Sequence, residues 1–126
     1  MKKIIILIPV YNDWQSASKL LEDINLNIKS LNQEFSVIIV NDASTDEQSI
    51  NSTNLENLKL IKIINMKENR GHARCIASGL KYIHEKEQYD YIIPMDGDGE
   101  DRPEEIKNFV ENINFSPDKA IVGERV

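Results

Sequence analysis

Uninterrupted runs of β-branched and other apolar residues constrain the fold of this chain more than any other feature. Residues 4–10 read Ile-Ile-Ile-Leu-Ile-Pro-Val, a pattern typical of a strand that is buried on both faces of a parallel sheet. Pro9 cannot donate a hydrogen bond to a neighbouring strand, so it marks the end of this one. Less regular apolar runs predict four further strands, at residues 35–40, 58–64, 89–95 and 120–122.

Between the predicted strands, apolar residues recur at steps of three and four, which is the spacing of amphipathic helices. The first stripe runs from Trp14 to Leu31, the second covers residues 73–83, and the third follows Pro103, which fits the first position of a helix. Residues 47–57 are polar with weak periodicity and predict a short helix or an irregular loop. This alternation predicts an α/β fold with a doubly wound, mostly parallel sheet.

Length and charge restrict the classes of protein to which the chain can belong. Its 126 residues, 40% of them hydrophobic, fit one domain with a core. The net charge is −6, and no basic stripe is present, which argues against a nucleic-acid partner. The single cysteine, Cys75, excludes an intrachain disulfide and fits a reducing compartment. No apolar run approaches the roughly twenty residues of a membrane span, so we expect a soluble, cytoplasmic protein.

Polar residues follow the first two predicted strands at their carboxyl ends. Tyr11 and Asp13 follow the first strand, with Asn12 or Asp13 as a cap for the next helix, and Asp42 follows the second strand. In doubly wound sheets, ligands bind outside the carboxyl ends of the strands, where the strand order reverses. These positions therefore predict a binding site rather than general surface polarity.

The fourth predicted strand ends in an acidic turn, Asp96-Gly-Asp98-Gly-Glu100-Asp101. Carboxylate oxygens of this kind suit a hard cation such as Mg²⁺ or Mn²⁺. The alternative is a solvated turn before a helix whose N-terminus is favoured by Glu104 and Glu105. The polar residues after two other strands favour a metal site. An anionic ligand at this edge needs a metal between its charge and these carboxylates.

Four segments stand in order along the chain: Ile8-Pro-Val-Tyr-Asn-Asp13, Val40-Asn-Asp-Ala-Ser-Thr-Asp46, Asn69-Arg-Gly71 with Gly79, and Asp96-Gly-Asp98. Together they resemble the motifs of the family-2 glycosyltransferases, which have the GT-A fold. Glu100, Pro103-Glu104 and Val122-Gly-Glu-Arg125 are most similar to the branch that transfers sugars to polyprenyl phosphates, the dolichyl-phosphate mannose synthase-like branch. The resemblance covers essentially the whole chain.

This resemblance implies the Rossmann-like, nucleotide-binding half of a GT-A enzyme. The enzyme transfers a sugar from a UDP- or GDP-linked donor to a lipid phosphate or a saccharide, as in cell-wall or polysaccharide biosynthesis. The implied location is the cytoplasm, including the inner face of the membrane. The resemblance assigns Pro9, Tyr11, Asp13, Asp42 and Asp96 to the donor nucleotide, and Asp98, Asp96 and Glu100 to Mg²⁺ or Mn²⁺.

Three residues depart from the family pattern. Asn41 stands where a first acid is common, His72 stands where a basic or small residue is common, and Glu100 replaces a glutamine. Family members also extend well beyond the length of this chain. The resemblance therefore implies a single donor-binding domain, residues 1–126, truncated before the acceptor-binding half. We expect such a chain to be inactive by itself, and no general base can be assigned in it.

Two alternative functions remain open on the sequence. One is a nucleotide-sugar-binding module without catalysis. The other is a sugar-phosphate nucleotidyltransferase, a class that shares the topology. That class normally has a glycine-rich, basic phosphate loop after its first strand, whereas this chain has Pro9-Val-Tyr-Asn-Asp13 there.

Overall fold

The computed structural model describes residues 2–50 and 55–95, together with residues 106, 108, 110, 120 and 121. The chain begins with β1 (Lys3–Val10), α1 (Trp14–Asn27), β2 (Glu34–Asn41) and β3 (Leu58–Asn65). It continues with α2 (His72–Lys86), β4 (Tyr91–Pro94) and β5 (Ala120–Ile121). Ile106, Asn108 and Val110 are helical. The five predicted strands are therefore confirmed.

The strands form one sheet in the order β3-β2-β1-β4-β5, and every neighbouring pair is parallel. The chain first builds outward from β1 through β2 to β3, and then adds β4 and β5 on the other side of β1. Strand order therefore reverses between β1 and β4, the position at which doubly wound sheets bind ligands. The predicted α/β fold class is confirmed.

The register of the sheet aligns the carboxyl ends of its strands along one edge. Val10 of β1 lies opposite Asn41 of β2, and Asn41 in turn lies opposite Asn65 of β3. Beyond β4, the backbone N–H of Met95 donates to the carbonyl of Leu7 at 2.9 Å. We call the residues that directly follow these strands the rim: residues 11–13, 42–46 and 66–71 and Met95.

Helices cover both faces of the sheet. On one face, Ile6 and Ile8 of β1 share a buried cluster with Leu21 of α1 and with Ile106 and Val110. On the other face, a second buried cluster joins the sheet to α2 and contains Leu7, Val40, Cys75 and Ile83. Because successive residues of a strand point to opposite faces, burial on both faces requires apolar residues at every position. This is why the runs in β1 and β2 are continuous.

The structure corrects several predicted boundaries. Helix α1 ends at Asn27, not at Leu31. Ile28 occupies the C-cap position, and its side chain is buried in the core. β1 continues one residue past Pro9, which pairs with Val40. Residues 47–50 form neither helix nor strand, in agreement with the irregular alternative. Residues 51–54 and Pro103 lie outside the described residues.

Gly79 sets the distance between α2 and the sheet. A Cβ atom on Gly79 would lie 2.6 Å from Cδ1 of Leu7 and 2.8 Å from Cγ2 of Val40, closer than carbon atoms pack. We expect Gly79→Ala to lower the free energy of unfolding by about 1–2 kcal/mol, because overpacking outweighs the higher helix propensity of alanine. Urea denaturation followed by circular dichroism measures this, with Lys81→Ala on the exposed face of α2 as the control. A Gly79→Ala variant as stable as the wild type would show that both side chains move aside without cost.

Candidate functional site

The loop after β1 is joined to the loop after β2 through Asn12. Its Oδ1 accepts the backbone N–H groups of Thr45 and Asp46 at 2.8 and 2.9 Å, and its Nδ2 donates to Oγ1 of Thr45 at 3.0 Å. The backbone N–H of Asn12 donates to Oγ of Ser44 at 2.8 Å. Asn12 adopts a left-handed backbone conformation, with φ of 60°, which asparagine tolerates better than most residues. Four contacts therefore hold two parts of the rim together.

The two neighbours of Asn12 are open to solvent. Tyr11 is 49% exposed, and Asp13 is also exposed. Within the part of the chain that the structure describes, neither side chain makes a hydrogen bond. Asp13 occupies the N-cap position of α1, but its side chain makes no capping bond, and the amide of Asn12 is used by residues 45 and 46. Asp13 therefore occupies the predicted cap position without capping the helix through its side chain. The exposed side chains of Tyr11 and Asp13 can both meet a ligand.

Asp42 is buried, with 4% of its surface exposed. Its Oδ1 accepts the N–H of Arg70 at 2.9 Å, and its Oδ2 accepts the N–H of Gly71 at 3.0 Å. Gly71 has φ of 88° and occupies the N-cap position of α2. Such charge-assisted bonds are stronger than neutral ones. Asp42 thus fixes the loop that leads into α2.

Asn41, one of the three departures from the family pattern, makes two side-chain hydrogen bonds. Its Nδ2 donates to Oδ1 of Asn65 at 2.9 Å, while its Oδ1 accepts the N–H of Ser44 at 3.0 Å. An aspartate at this position could also accept the N–H of Ser44, but it would keep the bridge to Asn65 only if the Asn65 amide turned to donate its Nδ2. Pro9 is buried in β1, where it pairs with Val40 of β2.

Cys75 lies in α2 beside Asp42 and is fully buried. Its Sγ donates to the carbonyl of Val40 at 3.3 Å. Burial, together with the negative charge of Asp42, raises the pKa of the thiol to about 11. The raised pKa favours the protonated thiol at neutral pH, and burial keeps the sulfur away from solvent.

The acidic turn itself, with Asp96, Asp98 and Glu100, lies outside the described residues. The structure does describe β4 and Met95, which directly precede the turn and are bonded to β1 at the rim. Within the described part of the chain, no group of three or more His, Cys, Asp or Glu side chains could hold a metal ion. His72 is the first residue of α2 and is exposed.

The model of glycosyl transferase family 2 matches residues 5–126. This chain belongs to that family. The matched residues include all four segments on which the resemblance was based. The dolichyl-phosphate mannose synthase-like branch is a finer assignment than this match supports.

Two crystal structures similar to this family-2 domain are those of S. aureus TarS and of S. aureus TarS 1-349. Each is 23% identical to this chain, has a TM-score of 0.61 and covers 86% of it. This chain spans 19% of the first structure's chain and 31% of the second's. At this level of identity the likeness concerns the fold, and it confirms the predicted GT-A arrangement.

None of the helices that the structure describes is long and apolar enough to cross a membrane.

Sequence reasoning missed the structural roles of two asparagines of this family-2 domain, Asn12 in the rim and Asn41 at the end of β2. Asn12 was assigned only as a helix cap, and Asn41 only as a lost charge. A signal for Asn12 was present, because asparagine between a strand and a helix favours the left-handed conformation. No signal identified its partners, which lie more than thirty residues away in the sequence.

Proposed function

We propose that this family-2 domain binds a nucleotide-diphosphate sugar, UDP- or GDP-linked, at the rim and forms the donor site of a metal-dependent glycosyltransferase. The observation that carries the proposal is the register of the sheet. It brings the ends of β1 and β2 and the residue before the acidic turn to one edge, beside the point where strand order reverses. Family membership supplies the reaction class.

The proposed donor contacts follow from burial and hydrogen bonding. Tyr11 and Asp13 are exposed and make no hydrogen bond within the described chain, so their side chains are free to contact the nucleoside. Asp42 can contribute only the lone pairs that Arg70 and Gly71 leave open. Pro9 lies beneath them as an apolar wall. Asp96 completes the proposed set from the sequence of the acidic turn.

The proposed metal ligands are Asp98, Asp96 and Glu100, with Mg²⁺ or Mn²⁺ as the cation. These three ligands suit such a cation, because all of them bind through carboxylate oxygens. Asp42 lies on a different loop, after β2, and we assign it to the nucleoside rather than to the cation. When bound, the cation supplies Lewis-acid stabilisation of the departing nucleoside diphosphate.

The acceptor class is proposed from the sequence near the end of the chain. Glu100, Pro103-Glu104 and Val122-Gly-Glu-Arg125 favour a polyprenyl phosphate over a saccharide. With that acceptor, the domain acts in the cytoplasm at the inner face of the membrane, in cell-wall or polysaccharide synthesis. We propose that residues 1–126 form one donor-binding domain, and that an acceptor-binding half accompanies it in the active enzyme.

A nucleotide panel tests the proposal. Calorimetric titration of the purified chain with UDP, GDP, CDP and dTDP in the presence of Mn²⁺ is expected to show binding of UDP or GDP in preference to the other two. Adenosine diphosphate serves as the unrelated control. If none of these nucleotides binds, the domain is not a donor site and the proposal is wrong.

The two alternatives predict different results in further assays. A binding module without catalysis takes up the same nucleotides, but it yields no glycosylated product when an acceptor-binding half and polyprenyl phosphate are supplied. A sugar-phosphate nucleotidyltransferase consumes a nucleoside triphosphate and a sugar phosphate and releases pyrophosphate. The loop after β1, residues 11–13, does not favour the second alternative, because it contains no glycine and no basic residue.

A further inference from the structure

We propose that Asn12 is a positioning residue of the donor site, and that it acts by holding Tyr11 and Asp13 in place rather than by contacting the nucleotide. This inference rests on the proposed function. It assigns a role to a residue that has no part in the donor contacts proposed above.

The side chain of Asn12 is committed to the protein. Its Oδ1 is taken by two backbone N–H groups, those of Thr45 and Asp46, and its Nδ2 is held by Oγ1 of Thr45. Little of its hydrogen-bonding capacity is left for a ligand. A nucleotide at this edge of the sheet therefore meets the neighbours of Asn12 rather than its amide.

Those neighbours depend on Asn12 for their position. Tyr11 and Asp13 flank it directly, and within the described residues their side chains make no hydrogen bond that could fix them. The left-handed conformation of Asn12, with φ of 60°, sets the direction of the backbone on either side. The hydrogen bonds of Asn12 thus restrain the backbone between the two exposed side chains, and on the α1 side the carbonyl of Asp13 also accepts the N–H of Ala17 at 3.1 Å.

Asn12 is itself linked to the sheet by hydrogen bonds. Ser44, which accepts the N–H of Asn12, donates its own N–H to Oδ1 of Asn41. Asn41 lies at the end of β2 and is bonded to Asn65 at the end of β3. A continuous chain of hydrogen bonds therefore runs from the loop after β1 to the outer strand. Sites that depend on a rigid supporting shell lose affinity when that shell loosens.

Asn12→Gly separates positioning from backbone strain. Glycine accepts the left-handed conformation without steric strain, and it removes every side-chain bond to Thr45 and Asp46. The matched control is Asn25→Ala. Asn25 also joins distant elements, because its Oδ1 accepts the N–H of Asn57 at 2.8 Å, but it lies at the opposite edge of the sheet, where β3 begins.

The experiment measures binding and loop protection on the same proteins. The probe is whichever of UDP and GDP the wild type binds more tightly, titrated by calorimetry with Mn²⁺ below the unfolding temperature of every variant. We expect Asn12→Gly to lower affinity about tenfold or more, and Asn25→Ala to leave it within about twofold of the wild type. Hydrogen exchange of the Thr45 and Asp46 amides is expected to accelerate in Asn12→Gly only.

A second variant changes the loop after β2 instead of Asn12. Ser44→Ala combined with Thr45→Val removes two partners of Asn12 while leaving Asn12 intact, and it is expected to lower affinity in the same direction. It provides the test if Asn12→Gly does not fold.

The outcomes separate this inference from the proposed function. If the wild type binds neither nucleotide, both are wrong. If the wild type binds and Asn12→Gly binds equally well while folded, only the positioning role is wrong. An equal loss of affinity in Asn25→Ala would also overturn it, because the effect would then reflect general stability.

Discussion

Asp98→Asn is expected to lower the affinity of this domain for a nucleoside diphosphate by about 2–5 kcal/mol, roughly thirtyfold or more, in the presence of Mn²⁺. The physical reason is charge. The domain carries a net charge of −6, and an anionic diphosphate beside the acidic turn is stable only if a cation lies between them. An amide at position 98 removes the negative charge of one of the three proposed carboxylate ligands of this cation.

Calorimetry in Mn²⁺ and in excess EDTA measures this effect. The wild type is expected to lose binding in EDTA, and Asp98→Asn is expected to show little difference between the two conditions. The matched control is Asp101→Asn, the same change of charge three residues further along the sequence, which should retain the dependence on Mn²⁺. Equal wild-type affinity in Mn²⁺ and in EDTA would contradict the proposed metal bridge.

Asp42→Ala is expected to weaken nucleoside diphosphate binding by about 1–3 kcal/mol, the scale of a lost hydrogen bond to a charged acceptor. The variant removes the acceptor of the Arg70 N–H and leaves the Gly71 N–H with only Oδ1 of Asn69, at 3.2 Å, so the loop before α2 loosens as well. Dependence on Mn²⁺ should persist, because the proposed metal ligands lie on a different loop. Titration of the variant with and without Mn²⁺ checks both statements.

The control for Asp42→Ala is Asp90→Ala. Asp90 also uses its carboxylate to accept a backbone N–H, that of Lys3 at 2.8 Å, but it lies where β1 and β4 begin, at the edge opposite the rim. We expect Asp90→Ala to affect the free energy of unfolding and not nucleotide binding. If Asp42→Ala loses its response to Mn²⁺, then Asp42 belongs to the metal end of the site and its proposed place at the nucleoside end is wrong.

The sheet could be derived from local pattern alone. Apolar runs such as residues 4–10 leave no polar face for solvent, and a strand without a polar face must be covered on both sides by helices. A parallel arrangement then brings the carboxyl ends of its strands to one edge. The positions of Tyr11, Asp13 and Asp42 at one rim therefore followed from periodicity and topology, before any contact was known.

The contacts within the rim could not be derived in this way. The partners of Asn12 are separated from it by 32 to 34 positions in the sequence, and only the parallel register of β1 and β2 brings them together.

Asp42 shows the difference most clearly. Its residue type and its place after a buried strand indicated a site, and both can be read from the sequence. The tertiary structure added that its two oxygens already bind the loop before α2. Sequence thus determined which side chains reach the rim, because side-chain alternation and strand direction are local properties. Tertiary structure decided which of them are free to meet a ligand, because that depends on hydrogen-bond partners supplied by distant segments.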